Sequence, residues 1–461
     1  MDTEGPPVSS APSSAPPPPS RPQGALYAFT HARTFAALVL FRDYRLLWLG
    51  QSGNTIGQWM DQVTRSWLIY ELTGSALQLG LVSAARAIPM LFFSVLAGAV
   101  ADRYGRKRQL VISQVVNAGL NVLLAALVLT HHVQPWHVYV TGMLAGIVQA
   151  FQQPARQAMI PDLVDRAHLG NAIGLQSLAF NASRSIAPAL SGLLIAWVDV
   201  GGSYVVQALI YSVATIWTVQ IHDPISRRPS SAIAGIKPPS LAEGTAAGAR
   251  YIWANRPVRA VMMIVLIPAI LGQPFTSLLP IFARDILDVG PQGQGMLLTA
   301  LGLGALAGAV VIATVGNTER QGIFMLLGAG LFGLGMIGFG LSPWFVLSLL
   351  MMAVVGICDT TYGTQANTII QTNTDPAVRG RVMGVYFLNR GLVPLGALLA
   401  GALADHIGAP RTVMLMGASC AALALWVAFA APEVRDLRGM LTREPAPLDP
   451  ALAEPAPLRP P

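Results

Sequence analysis

The sequence predicts an all-α membrane protein with about twelve transmembrane helices, in two six-helix bundles related by a parallel pseudo-two-fold repeat. Three observations carry that expectation. Only 11% of the 461 residues are charged while 53% are apolar, and mean hydropathy is +0.54. Soluble domains carry roughly a quarter charged residues, so a water-soluble fold would lack the surface to cover itself. Apolar stretches close to the ~20 residues that cross a bilayer core recur along the chain. Finally, Asp165, Ala167, Gly170 and Gly174 ahead of the fifth stretch are echoed by Asp375, Ala377, Gly380 and Gly384 ahead of the eleventh. Each group is followed by an Arg four positions before a Pro, Arg184 with Pro188 and Arg390 with Pro394.

Residues 1–24 are rich in Pro, Ser and Ala and read as a disordered tail. They lack the charged start and apolar core of a secretory signal. Residues 25–221 form the N-terminal bundle, with spans expected at 45–70, 75–100, 109–130, 136–155, 172–197 and 203–221. The polar stretch 222–257 carries Arg227, Arg228, Lys237, Arg250 and Arg256. It reads as a cytoplasmic linker with a short interfacial helix around Ala246 to Asn255. Residues 258–431 form the C-terminal bundle, with spans at 258–283, 293–315, 322–341, 344–370, 381–404 and 411–431. A second Pro-rich tail, 432–461, is also expected to be disordered.

The cations fall on alternate loops. One set holds Arg42, Arg45, the 103–108 cluster, the linker, Arg320, Arg379 and Arg381, and the other only Arg284 and Arg411. The positive-inside rule then places both termini in the cytoplasm, below an inner membrane. It also accounts for the net charge of +7 without a nucleic-acid face. Cys358 and Cys420 sit in apolar stretches and read as core residues. His131, His132 and His137 cluster in an outer loop but are not expected to hold a metal. No HExxH, Walker loop or GxSxG elbow occurs, so neither an enzyme, a cofactor nor direct ATP drive is expected.

Mechanism is carried first by Gly98, Asp102, Arg103, Gly105, Arg106, Lys107 and Arg108, in the loop between the second and third spans. Gly98 allows close helix approach, Gly105 a tight turn, and the cations can pair with carboxylates or helix-end carbonyls. Such a loop can form a breakable latch between rigid halves. It resembles the signature loop of the major facilitator superfamily, G-x-x-x-D-R-x-G-R-K. Four further stretches, beginning at Trp67, Pro154, Leu279 and Arg379, are similar to the bacterial drug- and siderophore-exporting branch, which includes the enterobactin exporter and macrolide-efflux proteins. The likeness covers about residues 40–435 and implies export of a small amphipathic solute by proton antiport. Three departures stand out. The antiporter signature G-P-x-x-G-G reads Ala187, Pro188, Ser191 and Gly192; the fourth-span Arg of proton-coupled exporters is absent, with Gln149 in that span; and Gly308 to Arg320 keeps little of the signature loop.

Ionisable groups inside the membrane are costly and should face the interior in pairs. Asp61 and Arg65 share a helix face, and Arg86 reaches a similar depth from the next span, so Asp61 has two candidate partners. Asp61 either exchanges a proton or belongs to a permanent ion pair; both readings stay open here. Asp359, among Thr360, Thr361 and Tyr362, either lines a central cavity or bonds between helices. Asn54, Gln58, Gln149, Asn181, Arg184, Gln273, Tyr362 and Arg390 complete the candidate cavity. Pro89, Pro188, Pro268, Pro274 and Pro394 would kink their spans. The expected partners are a small-molecule substrate, protons and the lipid bilayer, without nucleic acid, for a protein acting as a monomer. The alternatives are an importer or lipid flippase of the same fold, or a non-transporting membrane scaffold or sensor.

Overall fold

The computed structural model describes residues 34–103, 105–222, 241–315, 320–387 and 389–435. Both expected tails lie almost entirely outside them, as does most of the linker. Every regular element among the described residues is helical. The principal helices are α1 (Arg42–Thr73), α2 (Ala76–Arg103), α3 (Arg106–Leu129), α4 (Pro135–Leu163) and α5 (Leu169–Val219). After the linker come α6 (Leu241–Ala254), α7 (Arg256–Leu271), α8 (Gly290–Val315), α9 (Gln321–Leu341), α10 (Phe345–Asn373), α11 (Pro376–Phe387), α12 (Asn389–Ile407) and α13 (Ala409–Ala430). Eight helical stretches among the described residues are long and apolar enough to cross a membrane, so the chain is a multi-pass membrane protein. α1 and α4 have the length but too many polar side chains to count among them.

Local chemistry sets the ends. α1 stops at Gly74, whose φ of 61° is left-handed and whose N–H reaches the Tyr70 carbonyl. α4 starts on a capping box in which His137 Nδ1 accepts from the Gln134 N–H at 2.9 Å, which gives that histidine a structural role. α7 is capped by Asn255, whose side chain accepts from the Val258 N–H at 3.2 Å. Its expected span does not run on as one helix. It breaks at Gly272 and continues as a 3₁₀ turn (Gln273–Leu278), because Pro274 cannot donate to the helical ladder. α6 falls in the expected linker, starts five residues before the helix expected around Ala246 to Asn255, and packs on α11, where Asp375 donates its N–H to the Tyr251 hydroxyl.

α5 would be roughly 77 Å long if straight, more than twice the hydrocarbon thickness. It turns instead at Val198 and at Asp199, whose φ is 60°. The Thr64 hydroxyl meets both Ser191 at 2.8 Å and Ser203 at 3.0 Å. Two residues twelve apart can share one hydroxyl only if the arms 169–197 and 200–219 fold back on each other. These arms match the fifth and sixth expected spans.

The outward faces are apolar, with Leu209, Ile216, Leu334, Trp426 and Phe429 all exposed, as lipid contact requires. Within the N-terminal half α1 packs on α5, α2 on α4, and α3 on α4 and α5; in the C-terminal half α8 packs on α10, and α9 on α10 and α13. The halves meet along two seams, α5 against α8 and α2 against α12. Both seams use glycine reciprocally. A Cβ on Gly80 would lie 2.4 Å from the Ala397 carbonyl oxygen, and one on Gly401 2.4 Å from that of Ala76. Gly192 and Gly295 stand in the same relation to Pro291 and Pro188. Backbones therefore touch directly, the contact small residues permit in membranes.

Candidate functional site

Two polar centres occupy the interior. The first lies wholly within the N-terminal half. On α1 the residues 54, 58, 61 and 65 form one stripe, since they recur at helical spacing. Asp61 and Arg65 are both almost completely buried. Arg65 grips Asp61 through both carboxylate oxygens, at 2.8 and 3.1 Å, and its third nitrogen reaches the Val138 carbonyl and Thr141 hydroxyl on α4. Arg86 from α2 adds a second ion pair to Asp61 at 3.0 Å and donates to Gln149 at 3.2 Å. Both expected partners of Asp61 are thus engaged at once. Further along the stripe, Asn54 and Gln58 donate to the side-chain Oε1 of Gln152 at 3.2 and 3.1 Å. The void beside this cluster is only about 10 Å³.

The second centre is a cavity of about 600 Å³ at the seam. Its wall takes Trp59 and Gln62 from α1 and Arg184 and Pro188 from α5. The other half supplies Gln273, Phe332, Asp359 and Tyr362, then Asn367 and Gln371 toward the end of α10, and Tyr386 and Asn389. Arg184 lies over the Trp59 ring at 5.9 Å. Gln273, half-buried where α7 breaks, donates to Asp359 and to the Tyr362 hydroxyl, both at 3.4 Å. The Phe332 ring meets Tyr362 edge-on at 5.5 Å.

The candidate residues therefore separate. Arg184, Gln273, Asp359 and Tyr362 converge on the cavity. Asn54, Gln58 and Gln149 do not line it; their helix face turns inward to Gln152 and Arg86. Asn181 is also displaced, an exposed side chain folded back on the Ser177 carbonyl. Arg390 is helical, but its side chain lies outside those described, as do those of Gly98, Asp102 and Arg103. Trp59, Gln62, Gln371 and Tyr386 were not anticipated. The first two share an i, i+3 face, a signal within reach of helical periodicity.

The described part of the signature loop is anchored at the start of α3. Gly105 precedes α3, and Arg106 pairs with Asp162 at the end of α4 and donates to the Ala158 carbonyl at 2.9 Å. Both partners belong to its own half. Lys107 and Arg108 follow on the first turn of α3, Arg108 exposed. In the altered antiporter signature, Ser191 donates to the Met60 carbonyl at 3.1 Å, while Gly192 lies in the α5–α8 seam.

Polar contacts joining the halves gather at the end remote from the linker. The Tyr70 hydroxyl donates to Asp285, and Gln294 donates to Ser66 at 2.8 Å. Asp405 accepts from the Ser75 hydroxyl at 2.9 Å and from the Ala76 and Leu77 N–H groups at 2.7 and 3.1 Å. The cavity extends the other way, past Gln371 and Asn389, toward the linker end.

Membrane helices in two tightly seamed halves, with a polar cavity between them, define a multi-pass transporter rather than an enzyme. The chain belongs to the transmembrane secretion effector family, a branch of the major facilitator superfamily, whose profile matches residues 33–454. It is 30% identical over 397 residues to the multidrug efflux pump Tap of Mycolicibacterium fortuitum, covering 83% of this chain and 93% of the relative. It is 26% identical to the staphyloferrin A transporter of Staphylococcus aureus (79% and 90% covered) and 22% to the macrolide efflux protein A of Streptococcus pyogenes (85% and 96%). Among solved structures, the nucleoside transporter NupG superimposes with a TM-score of 0.67 at 13% identity, covering 84% of this chain and 99% of that one. A bacterial homologue of the lysosomal transporter Spinster gives 0.63 at 15% identity, covering 86% and 98%.

Proposed function

We propose that the protein exports small amphipathic molecules across the inner membrane by alternating access, with protons moving the opposite way. The observation that carries this reading is the cavity, about 600 Å³, with one charged side chain from each half on its wall among the described residues. That volume suits a drug-sized ligand. The relatives named for drug, macrolide and siderophore transport favour export over import.

In this reading the chain has twelve spans, the two arms of α5 counting separately and α11 with α12 as one. The reciprocal glycines of the two seams are what a parallel repeat would place there. The linker end faces the cytoplasm, since Arg42, Lys107, Arg108, Arg320, Arg379 and Arg381 lie on that side. Both termini are then cytoplasmic, and the structure corresponds to the inward-open state, closed outside by the Tyr70, Ser66 and Asp405 contacts. Alternating access requires those contacts to part while the linker end closes.

The coupling carboxylate is Asp359. Neutralising Asp61 would leave two buried guanidiniums without a counter-charge, a strongly unfavourable state. Asp359 has neutral donors around it and open cavity before it, so it can exchange a proton with water from the linker end.

Proteoliposomes with an imposed pH gradient test the proposal, using Hoechst 33342 as probe. Dye should move against the proton flux and stop when an uncoupler collapses the gradient. Movement with the protons indicates an importer, scrambling of a labelled lipid a flippase, and no gradient-dependent flux a scaffold or sensor.

A further inference from the structure

The central cavity is electrically divided between the halves. Arg184 stands midway along the first arm of α5, stacked on Trp59. Asp359 stands midway along α10 and takes its hydrogen bond from neutral Gln273. The two attract each other electrostatically across the cavity. Among the described residues, however, neither has an opposite charge within the 4.0 Å of an ion pair. Asp61, in the same membrane, is matched by two guanidiniums. Intramembrane charge is too costly to leave unmatched without a use.

We infer that the cavity selects zwitterionic amphiphiles, with the anionic group docking on Arg184 and the cationic group on Asp359. This rests on the export reading above. Selectivity follows from which half each charge belongs to. A ligand with both charges ties the two halves together and favours their closure around it. A ligand with one charge satisfies one half and leaves the other charge desolvated as the halves approach.

The test uses three matched probes: norfloxacin, zwitterionic at neutral pH; its methyl ester, which keeps only the cation; and its N-acetyl derivative, which keeps only the anion. Binding to the detergent-purified full chain is read by equilibrium dialysis, so that lost proton coupling does not confuse the result. Norfloxacin should bind at least about tenfold tighter than either derivative, a gap worth one charge contact. Arg184→Gln should abolish its advantage over the ester, and Asp359→Asn its advantage over the N-acetyl form. Arg184→Lys and Asp359→Glu should retain the preference, which a merely structural role would not predict. Equal binding of the three, binding of none, or uniform weakening of all three by either variant overturns the inference. Gradient-driven Hoechst flux alongside such a result would leave the export reading standing; loss of that flux would remove both.

Discussion

Asp61 and Asp359 are the same residue type inside the same membrane, and their surroundings differ in one respect. Asp61 has both counter-charges on helices of its own half, at 2.8 and 3.0 Å, with space for less than one drug fragment beside it. Asp359 has no cation within ion-pair distance among the described residues; Arg184 of the opposite half shares with it the wall of a cavity sixty times larger by volume (about 600 against about 10 Å³). A carboxylate matched inside a rigid unit ties that unit together. A carboxylate whose counter-charge lies across a moving seam is free to trade it for a proton or a ligand. Asp61 is almost completely buried and Asp359 half-buried, but it is the location of the partner that separates their roles.

The largest effect that can break this contrast is Asp61→Asn. It strands Arg65 and Arg86, and removing one partner of a buried pair costs about 3–5 kcal/mol. The variant should unfold at a clearly lower temperature in detergent and accumulate poorly in membranes. Adding Arg65→Gln should recover part of the loss, because one stranded cation is removed. An Asp61→Asn protein of unchanged thermal stability would show that the triad is not a clamp. Asp359→Asn should do the reverse. With one long hydrogen bond from Gln273, at 3.4 Å, and no ion pair among the described residues, its unfolding temperature should stay near that of the parent protein. Gradient-driven efflux should fall by about tenfold or more, a change of about 1.4 kcal/mol in barrier. Retained proton-driven efflux in Asp359→Asn would move the coupling role elsewhere.

The sequence made the first centre easier to read than the second, for a physical reason. Asp61 and Arg65 are neighbours on one helix, and depth counting brought Arg86 to them. The helical elements were legible too, because apolar length and cation placement are local signals. The cavity wall was legible only in part. Gln149, Asn54 and Gln58 have the composition of cavity residues but lie on the α1 and α4 faces that meet inside one half, and composition does not say which face turns where. Trp59 and Gln62 lie about 100° around α1 from Asp61 or its neighbours, close enough in sequence to be overlooked beside it. The stacking of Arg184 on Trp59 joins residues on different helices and leaves no local trace. The break in α7 was foreshadowed by Pro268 and Pro274, yet the placement of Gln273 there depends on which way the chain turns after Gly272.

The contacts remote from the linker give the smallest and most discriminating prediction. Asp405 was unremarkable in the sequence and Asp285 stood out only as the end of the stretch beginning at Leu279, since their partners lie hundreds of residues away. Asp405 caps the first turn of α2 from the other half, accepting from two N–H groups and one hydroxyl. Removing a capping carboxylate typically costs about 1 kcal/mol, here from one conformation only, because the cap spans the seam that must open. Asp405→Ala should therefore leave folding intact and shift the balance about fivefold toward the outward-open form. A cysteine placed at Leu77 should then react faster with a membrane-impermeant maleimide added from the outside, while the buried native Cys358 and Cys420 stay silent. The seam glycines refine the same test. Gly401→Val would drive a side chain into the Ala76 carbonyl, 2.4 Å from where its Cβ must sit, and so should also favour opening. If both variants left the Leu77 cysteine as slow as before, the remote end would not be the closed gate of an inward-open transporter, and the contrast between a fixed and a movable carboxylate would lose the motion it depends on.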